Sequence, residues 1–181
     1  MTEEVQKIDW LNTQSLDIDQ VMAVLPHKYP FLFIDRICEL APGAPLSMDM
    51  SLEQLDKAKA GSRVRALKNV TINESHFVGH FPSRPVLPGV LSLEAMAQAA
   101  GFVSMPFFYV EYKGIIPQID VALISCDGAR FRRPIRPGDQ MDIHVRVKST
   151  RSGFWSFIGE IFVESKLAAE AEFMAQVSIK K

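Results

Sequence analysis

The sequence predicts an α+β fold in which a curved antiparallel sheet wraps around one buried helix. The helix is predicted over residues 90–104, a run rich in Ala, Leu and Met that is apolar on nearly every side and therefore suited to burial. Segments of alternating apolar and polar residues fill the final third of the chain, at residues 141–148, 154–164 and 169–179. Because short turns join these strands, we expect them to pair antiparallel, with one face of their sheet covering the helix.

Length and composition indicate one globular domain, which we expect to span residues 1–181. The formal net charge of −1 provides no global field that would attract nucleic acid. Cys38 and Cys126 are isolated, which disfavours a disulfide framework and is typical of a reduced, cytoplasmic setting. The acidic N-terminus does not resemble a secretory signal, and the most apolar run, 95–110, is too short and too interrupted to predict a membrane span.

The sequence of the N-terminal part predicts an arm followed by short helices and strands. Residues 1–16 carry little pattern, and we expect them to form a loose arm. A helix is predicted to start after Asp17, which forms a possible capping box with Gln20. Strands are predicted over residues 31–40 and 62–71, each bounded by turn-forming residues.

The segment before the central helix brings candidate catalytic groups close to that helix. The helix follows Pro88 and Gly89, so free backbone N–H groups point out of its N-terminus. Glu94 and Gln98 share a helix face, so Gln98 can donate a hydrogen bond to the carboxylate. Together with His80 from the preceding loop, these groups suit proton abstraction next to a carbonyl. From the residues alone, structural roles for the histidine and the carboxylate remain an equal alternative.

Three ordered blocks of sequence resemble one family. They are LPHKYPFLFIDRI at residues 25–37, GHFPSRPVLPGVLSLEAMAQAAG at 79–101 and ARFRRPIRPGDQM at 129–141. Over about residues 25–177 the chain is similar to the beta-hydroxyacyl-[acyl-carrier-protein] dehydratases of the FabZ type. This resemblance implies the hot-dog fold, a curved antiparallel sheet around a central helix. It also implies reversible dehydration of (3R)-3-hydroxyacyl-acyl carrier protein to the trans-2-enoyl product in fatty acid biosynthesis.

The resemblance also implies the roles of individual residues. The catalytic pair of the family, a loop histidine and a helix carboxylate, corresponds to His80 and Glu94. Gly89 corresponds to the glycine whose N–H binds the thioester carbonyl in that family. Glu94 favours this type over the related isomerising dehydratases of the FabA type, which carry Asp at the helix position. We expect neither a metal nor a cofactor, since the sequence lacks a metal-ligand cluster and a glycine-rich phosphate loop. Three further residues are expected to contact the substrate: Phe81, Pro88 and Gln98.

The expected partners are a second copy of the chain and acyl carrier protein. The resemblance implies a homodimer whose subunits share the active site, with three dimers forming a hexamer. Four arginines in a short run form a local basic patch that could dock the acidic carrier protein. The alternative is a solvated basic surface, with one or two arginines paired to Asp127 or Asp139. The run consists of Arg130, Arg132, Arg133 and Arg136.

Two features depart from the family pattern. Residues 44–61 stand where a tight turn is usual, and a possible capping box of Ser51 and Gln54 predicts a short inserted helix there. This insertion is either a solvated excursion or a functional segment that covers the acyl site or contacts another subunit. Ala122, on a strand predicted over residues 119–126, stands where some members carry a bulky aromatic that gates the acyl tunnel. Either the gate is missing and longer chains fit, or another side chain replaces it.

Two other function classes remain open at this point. A hot-dog thioesterase would use a carboxylate and the same helix end to hydrolyse acyl-CoA. A non-catalytic acyl-binding domain would keep the pocket without the acid–base pair. The presence of both His80 and Glu94 favours the dehydratase over these alternatives.

Overall fold

A computed structural model describes residues 3–179. The strands form one six-stranded antiparallel sheet in the order β1-β2-β4-β5-β6-β3. They are β1 (Arg36–Ala41), β2 (Arg63–Asn69), β3 (Ile119–Phe131), β4 (Gln140–Arg151), β5 (Phe154–Val163) and β6 (Lys166–Ile179). The helices are α1 (Glu3–Gln6), α2 (Ile18–Val24), α3 (Leu52–Lys59), α4 (Gly89–Val103) and α5 (Met105–Glu111), with a 3-10 turn at Ser75–Val78.

The sheet wraps around α4, which packs against all six strands. Ala95, Met96 and Ala99 of this helix are fully buried. On the sheet side, a Cβ added to Gly159 would lie 2.7 Å from the sulfur of Met96, so the glycine permits the close approach of helix and strand. The six-stranded sheet and its contacts with α4 confirm the predicted α+β class and the hot-dog arrangement. An apolar helix of this kind must be covered on most of its circumference, and the sheet provides that cover.

Local capping signals predicted two shorter helices correctly. At α2, the side chain of Asp17 accepts from the backbone N–H of Gln20, and the reciprocal bond closes the capping box. Ser51 and Gln54 form the same motif at α3, so the inserted segment contains the expected helix. These motifs depend on neighbouring residues only, which explains why the sequence reveals them.

The expectation of a loose N-terminal arm is wrong for residues 3–16, while residues 1 and 2 lie outside the described part of the chain. Val5 and Trp10 are buried, and the indole of Trp10 donates to the carbonyl of Val5. The amide of Gln6 hydrogen-bonds both the N–H and the carbonyl of Ile116. The segment is anchored by isolated apolar side chains rather than by a periodic face, so no regular pattern predicted its packing.

The central helix continues almost without a break into α5. Pro106 lies in the first turn of α5, where backbone N–H groups have no acceptor within that helix. The absence of an N–H on proline therefore costs no helical hydrogen bond there. Phe107 is buried and packs near Trp155, with ring centroids 5.9 Å apart. The stretch Gly89–Glu111 is long and apolar enough to cross a membrane, but 67% of its most apolar window is buried inside the protein. This stretch is therefore the helix of the hydrophobic core.

Candidate active site

His80 lies in the loop that leads into α4, and its ring is held on two sides. The Nδ1 atom lies 2.7 Å from the carbonyl oxygen of Val86. A carbonyl can only accept, so Nδ1 carries the proton and Nε2 of the neutral ring keeps its lone pair. The ring of Phe81 stacks on the imidazole with centroids 4.1 Å apart. The backbone N–H of His80 donates to the carbonyl of His76, which ties the loop to the 3-10 turn. The half-buried imidazole is therefore oriented to act as a base through Nε2.

A cavity of about 200 Å³ connects His80 with the N-terminus of α4. Pro88 precedes the helix and provides no side-chain cap, and the N–H of Gly89 has no acceptor among residues 3–179. A Cβ on Gly89 would lie 3.0 Å from the ring of Phe131, so a side chain there would crowd the cavity. The cavity thus combines a basic nitrogen with a free backbone donor, which is the arrangement needed to hold a carbonyl oxygen as it gains negative charge.

Glu94 lies on α4 but faces a different and larger cavity of about 670 Å³. Its Oε1 accepts from Nε2 of Gln98 at 2.9 Å, the contact that the helical spacing predicted. Nε2 of His27 lies 3.4 Å from the same oxygen. The Oε2 atom makes no hydrogen bond within the described chain. One carboxyl oxygen is therefore engaged by protein groups, and the other remains available to a substrate.

Gln98 joins this carboxyl group to the loop that precedes β1. Its Nε2 also donates to the carbonyl of Phe31 at 2.8 Å, while its Oε1 accepts from the N–H of Phe33 at 2.9 Å. The side chain is only 3% exposed. The backbone carbonyl of Phe31 and the N–H of Phe33 are thus hydrogen-bonded to a glutamine side chain rather than to a neighbouring strand. The predicted strand over residues 31–40 therefore starts only at Arg36.

Sequence reasoning missed His27. The only available signal was its place in the first block that resembles the family, LPHKYPFLFIDRI. No spacing rule connects a loop residue with a helix residue so far along the chain. The contact depends on Gln98, which holds the loop against α4 and brings the imidazole close to Glu94.

One chain does not bring the two expected catalytic groups into one pocket. His80 and Glu94 line separate cavities and form no hydrogen bond with each other within residues 3–179. The reason lies in the helix geometry. Gly89 faces the His80 cavity, and a residue five positions later on a helix projects about 140° away around the axis. If His80 and Glu94 act together, they must therefore come from different subunits, which is the arrangement that the family resemblance implies.

The arginine run divides into two pairs with different environments. Arg130 and Arg132 both contact the carboxylate of Glu170 on β6, at 3.4 Å and 2.5 Å. The hydrogen bond from Arg132, assisted by Arg130, lowers the pKa of Glu170 below its ordinary value. Arg133 lines the His80 cavity, and neither it nor Arg136 has a side-chain partner among residues 3–179.

The partners of these arginines differ from those that the sequence suggested as an alternative. The carboxylate of Asp139 accepts from the backbone N–H of Arg136 instead of pairing with a guanidinium group. Asp127 contacts the hydroxyl of Ser125. The observed partner, Glu170, lies on the strand that pairs with β3, and sequence proximity did not indicate it.

The departures from the family pattern lie outside the cavities. Ala122 does not line the Glu94 cavity, whereas its neighbours Val121 and Leu123 do. Phe173 of β6 contributes a phenyl ring to the wall of this cavity. Residues 44–61 line neither this cavity nor the one beside His80, so they do not cover the site within a single chain.

Comparisons with known proteins agree with this architecture. A family model for a FabA-like domain matches residues 25–172. The 3-hydroxyacyl-[acyl-carrier-protein] dehydratase FabZ of Paracidovorax citrulli is 43% identical over 161 residues, which cover 88% of this chain and 94% of that protein. The FabZ of Bartonella henselae is 42% identical over 168 residues, covering 93% and 94%.

Solved structures resemble the fold at low sequence identity. The dehydratase heterocomplex ApeI:P from Xenorhabdus doucetiae matches with a TM-score of 0.61 and 20% identity, over 91% of this chain and 93% of that one. A hot-dog-like protein from Thermanaerovibrio acidaminovorans matches with a TM-score of 0.53 and 15% identity, over 72% and 90%. The chain therefore belongs to the FabA-like family, among the FabZ-type 3-hydroxyacyl-[acyl-carrier-protein] dehydratases.

Proposed function

We propose that this protein catalyses the reversible dehydration of (3R)-3-hydroxyacyl-acyl carrier protein to trans-2-enoyl-acyl carrier protein in fatty acid biosynthesis, with His80 and Glu94 as the acid–base pair. The observation that carries this proposal is the hydrogen bond from Nδ1 of His80 to the carbonyl of Val86. It leaves a basic Nε2 beside the unpaired N–H of Gly89, at the start of α4. We place the enzyme in the cytoplasm together with its carrier protein.

The reaction needs one proton removed and one supplied. Nε2 of His80 takes the C2 proton, and the N–H of Gly89 holds the thioester oxygen as negative charge develops on it. The C3–O bond then breaks while Glu94 gives its proton to the leaving hydroxyl, so that water departs and the C2–C3 double bond forms. The proton on His80 subsequently returns to the carboxylate through solvent. General acid–base catalysis contributes about 100- to 10,000-fold per group, so loss of either residue should be near that scale.

The two cavities are expected to meet across a dimer. β3 is an edge strand of the sheet, and its apolar residues Leu123, Ile124 and Phe131 are about half exposed. An exposed, apolar edge strand invites pairing with another strand. Since homodimers are most often two-fold symmetric, we propose that β3 pairs antiparallel with its own copy.

Antiparallel pairing of a strand with its copy places each end against the opposite end of the partner. Phe131 at the end of β3 borders the His80 cavity, whereas Ile119 and Val121 at its beginning border the Glu94 cavity. Pairing about the middle of β3 would therefore bring the His80 of one subunit to the Glu94 of the other. We propose further that three such dimers form a hexamer, as the family resemblance implies.

We propose that the carrier protein docks beside the His80 cavity. Arg133 lines that cavity, and Arg136 follows it closely in the chain; both guanidinium groups lack an acidic partner within the described residues. An unpaired cation in the wall of a cavity, with a second one three residues along the chain, attracts an acidic partner and raises its rate of encounter. Arg130 and Arg132 contribute less, because Glu170 already compensates their charge.

Mixed dimers test the shared site. His80→Ala and Glu94→Gln proteins should each be nearly inactive. After subunit exchange, half of the dimers are mixed, and each mixed dimer has one intact site of two, so roughly a quarter of the wild-type activity should return. The assay follows the absorbance of the enoyl product, and a parallel thiol assay detects thioester hydrolysis. Absence of recovery after verified exchange would contradict a site shared between subunits.

A further inference from the structure

Strand β2 carries a lysine on its buried face. Val64 and Ala66 of this strand point into the core, and Lys68 is the next residue on the same face. Lys68 is 5% exposed, and it is the one charged residue that is buried within residues 3–179. Removing an ammonium group from water is costly unless the protein compensates its charge. The contacts of Lys68 must therefore replace the lost hydration.

The ammonium group of Lys68 contacts two loops. Its Nζ atom lies 2.9 Å from Oε2 of Glu74, in the loop after β2, and the side chain of Glu74 is itself only 15% exposed. Nζ also lies 5.6 Å from the centroid of the Phe33 ring, in the loop before β1. At this distance an aromatic face attracts a cation. One buried charge therefore joins two segments that are distant in sequence.

The first of these loops leads to His80. Oε1 of Glu74 accepts from the N–H of Thr71 at 2.9 Å, so both oxygens of this carboxylate are engaged. The carbonyl of Glu74 accepts from the N–H of Phe77 in the 3-10 turn. In the same turn, the carbonyl of His76 accepts from the N–H of His80 at 3.0 Å. The ion pair thus fixes the start of the turn that holds the backbone of His80.

The second loop leads to Glu94. The ring of Phe33 faces Lys68, while its backbone N–H donates to Oε1 of Gln98. The amide of Gln98 donates in turn to the carboxyl group of Glu94 at 2.9 Å. Lys68 is therefore linked to His80 through Glu74 and to Glu94 through Phe33.

We propose, resting on the proposed dehydratase function, that Lys68 is a positioning residue that holds both His80 and Glu94 in place through these two loops. Stability alone does not account for the ion pair, because apolar residues of similar volume often replace a buried pair without loss of stability. Geometry does account for it, since a displacement of about 1 Å can slow a reaction about 100-fold. Lys68 touches no reacting atom and acts only through the groups that it holds.

Lys68→Met tests the proposal, because methionine retains an unbranched apolar chain and loses the charge. The value of kcat for hydration of a C4 enoyl substrate should fall at least about tenfold, with KM within about twofold of wild type. Hydrogen exchange followed by mass spectrometry provides a measurement that is independent of activity. Peptides that cover residues 31–35 and 71–80 should exchange at least about tenfold faster, whereas the buried part of α4 should exchange as in wild type.

Lys59 offers a matched control. Its ammonium group makes the same two kinds of contact, with Oδ1 of Asp56 at 3.1 Å and with the ring of Trp155 at 5.3 Å from the centroid. Lys59 lies on α3 and lines neither the His80 cavity nor the Glu94 cavity. Lys59→Met should therefore leave kcat and the exchange of both loops unchanged.

The double variant Lys68→Met/Glu74→Gln separates positioning from stability. It leaves no unpaired buried charge, and the glutamine oxygen can still accept from the N–H of Thr71. Its urea midpoint should lie close to that of wild type, while kcat should remain at least about tenfold lower. If kcat returns to wild type together with stability, the ion pair acts through stability alone and the proposal is wrong.

The remaining outcomes are also distinct. A wild-type protein that hydrates no enoyl substrate overturns the proposed function, and hydrogen exchange still tests whether Lys68 links the two loops. Wild-type kcat in folded Lys68→Met overturns the positioning role. Faster exchange at residues 71–80 without a change at residues 31–35 overturns the link to Glu94. If Lys68→Met fails to fold, the double variant decides by the same measurements.

Discussion

Gln98 is expected to support both the fold and the reaction, and Gln98→Met separates these roles. Methionine has a similar length and fills the same space, but it cannot replace the amide. The variant loses the bonds to Glu94, to the carbonyl of Phe31 and to the N–H of Phe33. Each such bond contributes about 0.5–1.5 kcal/mol, and a buried group left unpaired costs about 1–3 kcal/mol. We expect a loss of about 2–4 kcal/mol in the free energy of unfolding.

The same substitution should slow the reaction through the orientation of Glu94. Without Gln98, the carboxyl group keeps only its contact with His27 and gains rotational freedom. We expect kcat to fall about tenfold with little change in KM, a smaller effect than the loss of about 100-fold or more for Glu94→Gln. Glu94→Gln is the matched control, because its amide oxygen can still accept from Gln98. Its unfolding free energy should remain close to wild type.

Two measurements decide the outcome. Urea unfolding followed by far-UV circular dichroism gives the free energy of unfolding, at one protein concentration because dissociation of a dimer would contribute. Steady-state hydration of a C4 enoyl substrate gives kcat and KM. If Gln98→Met unfolds at the same urea concentration as wild type, the loop before β1 is held by other contacts and the reasoning is refuted. If its stability falls but kcat is unchanged, Gln98 does not orient the carboxyl group.

Three further predictions follow from individual contacts. His27→Ala should lower kcat several-fold without a large change in stability, because Glu94 loses one contact but keeps Gln98; an unchanged kcat in steady-state assays would remove His27 from the site. Arg133→Glu should raise KM for carrier-linked substrates and leave KM for short thioesters without carrier unchanged, whereas Arg132→Glu should affect both much less. Partial burial would raise the pKa of Asp142, but hydrogen bonds from its arginine and histidine neighbours lower it overall. The ionised form therefore stabilises the fold above the unfolded pKa of about 3.9, and this contribution is lost as the pH falls below that value. Melting temperatures of wild type and Asp142→Asn should accordingly differ at pH 7, and the difference should shrink as the pH falls below about 4; a constant difference would contradict this.

Local features were predictable because their causes lie within a few residues. The capping box at Asp17, the bond from Gln98 to Glu94 and the turn before α4 each depend on residues at most four positions apart. Strands β4 to β6 follow from alternation along the chain, which a sheet with one covered face imposes. The resemblance to one family, carried by three short blocks, added the identity of the candidate catalytic pair.

The sequence by itself therefore determined the central helix, the strands of the C-terminal half and the nature of the candidate chemical groups. Only the tertiary structure decided how these groups are arranged: His27 beside Glu94, Glu170 between two arginines, and His80 facing a separate cavity. The physical reason is that secondary structure is encoded in neighbouring residues. Contacts between distant segments depend on how the sheet closes over α4 and on which side chains that packing brings together.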